Sequence, residues 1–363
     1  MKVAIIGAGA CGLVLAKVLE NNNIEYTLFE KSLIGRKILA SGNGKANIGN
    51  TNINKECYNN EFGYLLVKNN YEKLMEFYKS INLYLKVDEE GRIYPLSESS
   101  LSVLDCINVN RKNLLENFTV DKISKINNKY YINDVRGPFD YVVCASGSIA
   151  SFIKKKQENH NNYLNDLNLE INNITPSLVG FKCDVNFKKI AGVRIKCVAS
   201  LYQNNNKIYS EKGEVILKND GISGICILNL SAYYARLKDK NNCYVSLDII
   251  PGINVNISDK KQLIGLVHPK LVDYFMDKNI FIINQMLHDF RLNIISPYDF
   301  EFAQVVSGGI DLSNINEDLS LKKDNHIFIG GEMLDIDGIC GGYNLMFAFI
   351  CGLVIGEKLC NIK

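Results

Sequence analysis

The chain has 363 residues, 47% hydrophobic and 22% charged; this is more than the ~250–300 at which one core stops growing, and the balance excludes a disordered or fibrous chain. Lys and Arg number 41 against 39 Asp and Glu, and the resulting net charge of +2 gives no electrostatic reason to expect a nucleic acid partner. Eleven cysteines without a CxxC pair, and four histidines (His160, His268, His288, His326) in no ligand spacing, predict a reduced, cytoplasmic protein of two or more domains with no metal site.

In chain order, Lys2 and the apolar run after it resemble a signal sequence, but the glycines at 7, 9 and 12 predict strand, turn and helix instead. "KVAIIGAG" reads as a buried strand, "CGLVLAKVLENN" as a helix and "EYTLFEK" as a second strand. The glycine-rich stretch "GRKILASGNGKANIGN" (35–50) has neither period and reads as a loop. Residues 60–85 predict a helix, and "GRIYPLSESSLSVLDCI" an exposed segment entering a helix capped around residues 97–99. Short strands follow over 118–147, closing with "YVVCASG". The Asn- and Lys-rich stretch 151–173 is the candidate linker; Lys154, Lys155 and Lys156, beside Gln157 and Glu158, read as a solvated loop. Alternating segments over 174–255 predict an all-β insert. Helical spacing over 258–295 puts Leu263, Leu266, Val267, Leu271, Val272, Phe275 and Met276 on one face behind a Ser258–Asp259 cap. β character returns in "FAQVVSGGIDL" and "HIFIGGE", and "GEMLDIDGICGGYNLMFAF" opens a last helix. The apolar run 345–356 is too short for the ~20 residues that span a bilayer, so no membrane partner is expected.

The expected domains are a first one formed by 1–155 and 305–363, a β-rich insert of 174–257 with 296–304, and a helical subdomain of 258–295.

Gly7, Ala8, Gly9, Ala10, Cys11 and Gly12 form a GxGxxG turn between a strand and a helix, and Glu30 closes the next strand. Gly7 permits the tight turn, Gly9 the approach of a pyrophosphate, and Gly12 close helix packing. The helix start offers free N–H groups and a positive dipole end to that anion. Glu30 would accept hydrogen bonds from a ribose 2′-hydroxyl. The pattern serves FAD and NAD equally. Near the C-terminus, glycines and acids ahead of an apolar run fit either a simple turn into a core helix or a helix start facing a ligand.

"GRKILASGNGKANIGN", "GRIYPLS", "YVVCASG", "ITPSLVGF", "DGISG", "LDIIP", "VVSGGI" and above all "GEMLDIDGICGGYNL" occur in an order that resembles the BaiN-like (YhiN-like, aminoacetone oxidase-like) FAD-binding oxidoreductases. The resemblance implies an α/β fold: a Rossmann-type, glutathione reductase-like FAD-binding domain with a mainly β insert and a small helical subdomain. It implies that Gly331 and Glu332 meet the ribityl and pyrophosphate part of FAD, and that Gly342, Tyr343, Asn344 and Leu345 bring helix-start amides to the flavin ring. Lys31 flanks the ribose acid, and Arg36 and Lys37 would neutralise the pyrophosphate. The loop with Ser41, Gly42, Asn43 and Asn47 would lie against the flavin. Val120, on a strand, would contact adenine through its backbone, and Ala145 and Gly147 would cross the cofactor.

The implied reaction is hydride transfer between flavin N5 and a small organic substrate beneath the β insert. Family activities include NAD(P)H-linked reduction of a conjugated C=C, with NAD(P)H as a transient reductant, and oxidation of an aminoketone by oxygen. The chain departs from the family at Lys45 and Ala46, where Arg and Cys are usual, in a shorter segment after Gly147, and at Lys218, Asn219 and Ile225. These departures leave open a flavin-binding sensor without catalysis, and the glycine turn alone leaves open a flavin-free NAD dehydrogenase. No general acid or base is assigned; Tyr94, Asn47, Lys45 and Tyr343 are the polar candidates. The oligomeric state is not legible.

Overall fold

The computed structural model describes residues 1–151 and 161–362. The lysine run 154–156, with Gln157, Glu158 and His160, lies outside the described residues. The chain begins β1 (Lys2–Ile6), α1 (Ala10–Asn21), β2 (Glu25–Phe29), α2 (Arg36–Ala40), β3 (Gly49–Asn50) and α3 (Glu61–Ser80). It continues β4 (Leu85–Val87), β5 (Arg92–Pro95), α4 (Ser100–Ile107), β6 (Leu114–Leu115), β7 (Ile123–Ile126), β8 (Lys129–Ile132), β9 (Arg136–Phe139) and β10 (Tyr141–Cys144). β11 (Ile171–Ser177) leads to β12 (Phe181–Cys183), β13 (Arg194–Gln203), β14 (Asn206–Lys218), β15 (Gly221–Ser223), α5 (Ile225–Ala235), β16 (Cys243–Asp248), α6 (Pro269–Met276), α7 (Ile280–His288) and β17 (Phe290–Pro297). β18 (Val305–Ile310), paired with β11, leads back to β19 (Ile327–Ile329) and α8 (Tyr343–Ile362).

Two compact units result: residues 1–149, 154–174 and 308–363, and residues 150–153 with 175–307. The first is built on a five-stranded sheet, β19-β10-β1-β2-β6, parallel throughout. β1, β10 and β19 are almost wholly apolar and buried, as a parallel sheet covered on both faces requires. Register pairs Ile6 with both Phe29 and Cys144, and Cys144 with Ile329. The carboxyl ends of four strands therefore lie level, and Gly7, Glu30, Ala145 and Gly330 follow at one edge. α8 packs against α1 with glycines at the crossing: a Cβ on Gly352 would run into the Cys11 carbonyl, and one on Gly356 would lie 2.7 Å from Val18 Cγ1. At 20 residues α8 is long and apolar enough to cross a bilayer, longer than the run read from sequence, yet twelve of its residues are buried in this core. Two small sheets, β3-β5-β4 and the meander β7-β8-β9, complete the unit.

The second unit is a closed barrel, β12-β15-β14-β13-β16-β17, with its own core. Several expectations need correction. The 35–50 stretch, read as a loop, contains α2 and β3. The 174–255 stretch is not all β: "ICILNLSAYYA" forms α5, and because it is apolar all round its periodicity does not separate helix from buried strand. Nor is 258–295 helical throughout. Asp259 does cap the first turn, with a capping box to Gln262, but His268 and Pro269 start a new helix. From Phe290 the chain is a strand alternating Phe290 and Leu292 inside with Arg291 and Asn293 outside. Pairing with β16 decides it. Met276 is 49% exposed rather than on the packed face. The described part of the linker candidate is ordered in the first unit: residues 162–167 form a 3₁₀ turn that buries Tyr163 and Leu164, and β11 starts at Ile171.

Candidate cofactor site

The level strand ends bring the glycine turn to the sheet edge in the form the turn needs. Gly7 has φ +104°, its N–H donates to the Phe29 carbonyl at 2.8 Å, and a Cβ there would lie 2.6 Å from the Ala145 carbonyl oxygen. A Cβ on Gly12 would collide with the Gly7 carbonyl. Gly9, the α1 N-cap, is different: a Cβ there would meet nothing nearer than 3.9 Å. Two glycines are tight for packing, and the middle one faces open space at the start of a twelve-residue helix. Ala10, Cys11 and Gly12 form its first turn.

Glu30, 8% exposed, accepts from the Ala8 N–H at 2.8 Å and the Ser32 N–H at 2.7 Å, so the acid also holds the turn. Phe118 N–H donates to the Glu30 carbonyl at 2.9 Å, which brings Val120 to this end of the site. Val120 is buried but lies between β6 and β7, not on a strand; β6 ends after two residues. Lys31 stands near both Glu30 and Asp121, and desolvation outweighs their attraction to lower its pKa.

Toward the other end, Ala145 N–H donates to the Ile6 carbonyl at 2.8 Å, and Gly147, at φ +72°, has no atom within 4 Å of a Cβ position. This small-residue turn is held by Ser146, whose hydroxyl lies 2.6 Å from both Asn161 Oδ1 and Tyr163 OH. Gly331 sits above α1: its Cβ position is 3.4 Å from Cys11 Cβ and 3.5 Å from Ala348 Cβ. Glu332 pairs with the Lys37 ammonium and accepts from Ser148 Oγ at 2.7 Å; Lys37 donates to Ser148 Oγ at 3.1 Å. Arg36, on the same short helix, is drawn by both Glu332 and Glu30.

The approach to α8 is pinned by side chains from several elements. Asn50 Nδ2 donates to the Gly341 carbonyl at 3.0 Å, and Asn344 Oδ1 accepts from Gly338 N–H at 2.9 Å. Tyr58 OH donates to the Tyr343 carbonyl at 3.1 Å, and Tyr343 OH to the Asn52 carbonyl at 2.9 Å. With its amide oriented to satisfy its neighbours, Asn47 donates to Gly49 O at 2.9 Å and accepts from Gly342 N–H at 3.1 Å. The Gly342 N–H is thereby engaged within the chain. The amides of Tyr343, Asn344 and Leu345 are the helix-start donors left without an acceptor among the described residues. From Tyr343 to Gly352, beside Cys11, is nine residues, about 13 Å of helix.

The loop 41–47 runs along this end. Ser41 Oγ turns back to the Ile38 carbonyl at 2.8 Å, while Gly42 and Asn43 are exposed in left-handed backbone and Asn43 makes no side-chain bond among those described. The sequence reading overlooked Ser148, Asn50 and Tyr58, whose partners lie more than a hundred residues away, and Asn161 and Tyr163, which no motif marks.

With this geometry in place, comparison with known proteins assigns the family. A family model described as the HI0933-like protein Rossmann domain matches residues 1–358. The chain belongs to that family. It is thereby an FAD-dependent oxidoreductase of Rossmann type, as the motifs implied. Among curated relatives, a 3-dehydro-bile acid Δ(4,6)-reductase from Clostridium scindens is 26% identical, with 98% of each chain covered. A ribosomal RNA dihydrouridine synthase from Haemophilus influenzae is 23% identical, again over 98% of each chain. The crystal structure of a 3-ketosteroid Δ1-dehydrogenase from Sterolibacterium denitrificans covers 99% of both chains with a TM-score of 0.50 at 10% identity, a likeness of fold alone.

Proposed function

We propose that the protein is an FAD-dependent reductase that saturates a C=C bond conjugated to a carbonyl in a small organic molecule, with NAD(P)H as transient reductant. When bound, FAD supplies the hydride through its N5. The residues fit that group along one line. Gly9 leaves space at the α1 start for the pyrophosphate, with Arg36 alongside; Glu30, Lys31 and the Val120 backbone flank the adenosine. Ala145, Gly147, Gly331 and Glu332 line the middle, and the 41–47 loop with the α8 tip takes the flavin ring.

The observation that carries the reading is the α8 tip: three helix-start amides with no acceptor among the described residues, on a loop pinned by Asn47, Asn50, Tyr58 and Asn344, about 13 Å along the helix from the phosphate turn. Donors fixed in advance would stabilise negative charge at the edge of a ring bound there, without reorganising. Of the four polar candidates, Asn47 and Tyr343 spend their hydrogen bonds on this loop, and Lys45 pairs with Glu98 at 2.8 Å. Tyr94 remains: its ring lies 3.4 Å from the Gly42 Cβ position, and no described group bonds its hydroxyl. We assign it the proton that must follow the hydride.

Support for the reaction class comes from the two full-length relatives, whose names both denote saturation of a C=C conjugated to a carbonyl, one in a bile acid and one in uridine. A net charge of +2 favours the small substrate over RNA. The test is to reduce the purified protein anaerobically with NADH or NADPH, then mix it with a 3-oxo-4-ene steroid, with uridine-containing RNA, or with oxygen. Rapid reoxidation by the enone is expected. Reoxidation by oxygen alone would make the protein an oxidase, by RNA alone would move it to nucleic acid, and a colourless protein that takes up no FAD would end the flavin reading.

A further inference from the structure

We propose that Lys37 is a positioning residue for the ribityl end of the cofactor: its ammonium, shared between Glu332 and Ser148, aims the Glu332 carboxylate at the ribityl hydroxyls and does not bind the pyrophosphate. This rests on the flavin reading above.

The geometry makes a closed triangle. Glu332 uses one oxygen for Lys37 and the other for the Ser148 hydroxyl, and Lys37 also donates to that hydroxyl. The side chains of Lys37 and Glu332 are only 25% and 16% exposed, so the pair is screened little by solvent. An ionised carboxylate has about four lone-pair sites, so two engaged oxygens still leave room for two hydroxyl donors. The triangle fixes where those sites point. Moving Lys37 to a phosphate would take the paired ammonium from a largely buried carboxylate, which is costly. Burial lowers the Lys37 pKa and Glu332 opposes that shift. Arg36, placed between Glu30 and Glu332, is the cation suited to phosphate.

FAD and ADP separate the two roles, because ADP carries a pyrophosphate and no ribityl chain. Flavin-free, full-length protein is titrated with each. Lys37→Met and Glu332→Gln should each weaken FAD about 10- to 100-fold, the loss of a charged hydrogen bond, and leave ADP affinity within about twofold. The double variant should be no worse than either single one, and Lys37→Arg should recover part of the loss. Should Lys37→Met fail to fold, the double variant, which removes both charges together, and Lys37→Arg carry the comparison. A parallel loss of ADP and FAD would make Lys37 a pyrophosphate ligand and overturn the proposal, as would unchanged FAD affinity. Wild-type protein that binds neither compound would fail the flavin reading itself, a distinct result.

Discussion

Tyr94 shows how one side chain can be left over for chemistry. On β5 its neighbour Ile93 points into the core, while Tyr94 lies against the 41–47 loop on the other face. Desolvation raises the phenol above its ordinary value of 10.0, against the lowering effect of Arg92 and Lys45. A proton donor must be protonated to act, so a raised pKa keeps it active throughout the neutral range and loses it only at pH above 10. Tyr94→Phe should slow reoxidation by the enone about 100-fold or more, the usual scale of general acid catalysis, while reduction by NAD(P)H stays near wild type. Equal slowing of both half-reactions would instead mark a role in holding the loop. The residue scale is also where sequence reading was weakest. Glu30 and Gly9 were legible because turn, helix and acid lie within one βαβ unit. The true partner of Lys37 is 295 residues away, and no spacing rule reaches that far.

At the scale of elements, segments punctuated by glycine are the legible ones: β1 ends just before Gly7, α1 starts after Gly9 and α8 after Gly342. α5 and β17 were misread for opposite reasons, one lacking any period and the other set by its pairing with β16. The turn before α8 is intermediate, since its glycines announce a bend but not its rigidity. That rigidity comes from side chains on distant elements, Asn50 among them, 4% exposed and bonded to the Gly341 carbonyl. Asn50→Ala leaves that carbonyl unpaired at a cost of about 1–3 kcal/mol. The expected result is a lower melting temperature together with weaker FAD binding, because the α8 amides lose their fixed direction. A fall in melting temperature with FAD affinity unchanged would show that the amides do not depend on this pin.

At the scale of the whole molecule, the sequence signals that β character stops at the helical stretch and later resumes, but not that the barrel closes. Closure joins β12 to β17, more than a hundred residues apart, and only register establishes it. Each unit also buries its own hydrophobic cluster, one around β1, α1 and α8 and one inside the barrel. Every residue assigned here to the cofactor belongs to the first unit. A ligand that binds only the folded form stabilises it by about 2.7 kcal/mol at a concentration 100 times its Kd. If the two cores open independently, that gain belongs to the first unit alone. Hydrogen exchange with and without FAD should therefore slow amides in β1, α1, β10 and α8 and leave those of β13, β14 and β16 unchanged. Equal protection of the barrel strands would mean that both cores open together and that the cofactor's grip extends to residues none of its proposed contacts touch.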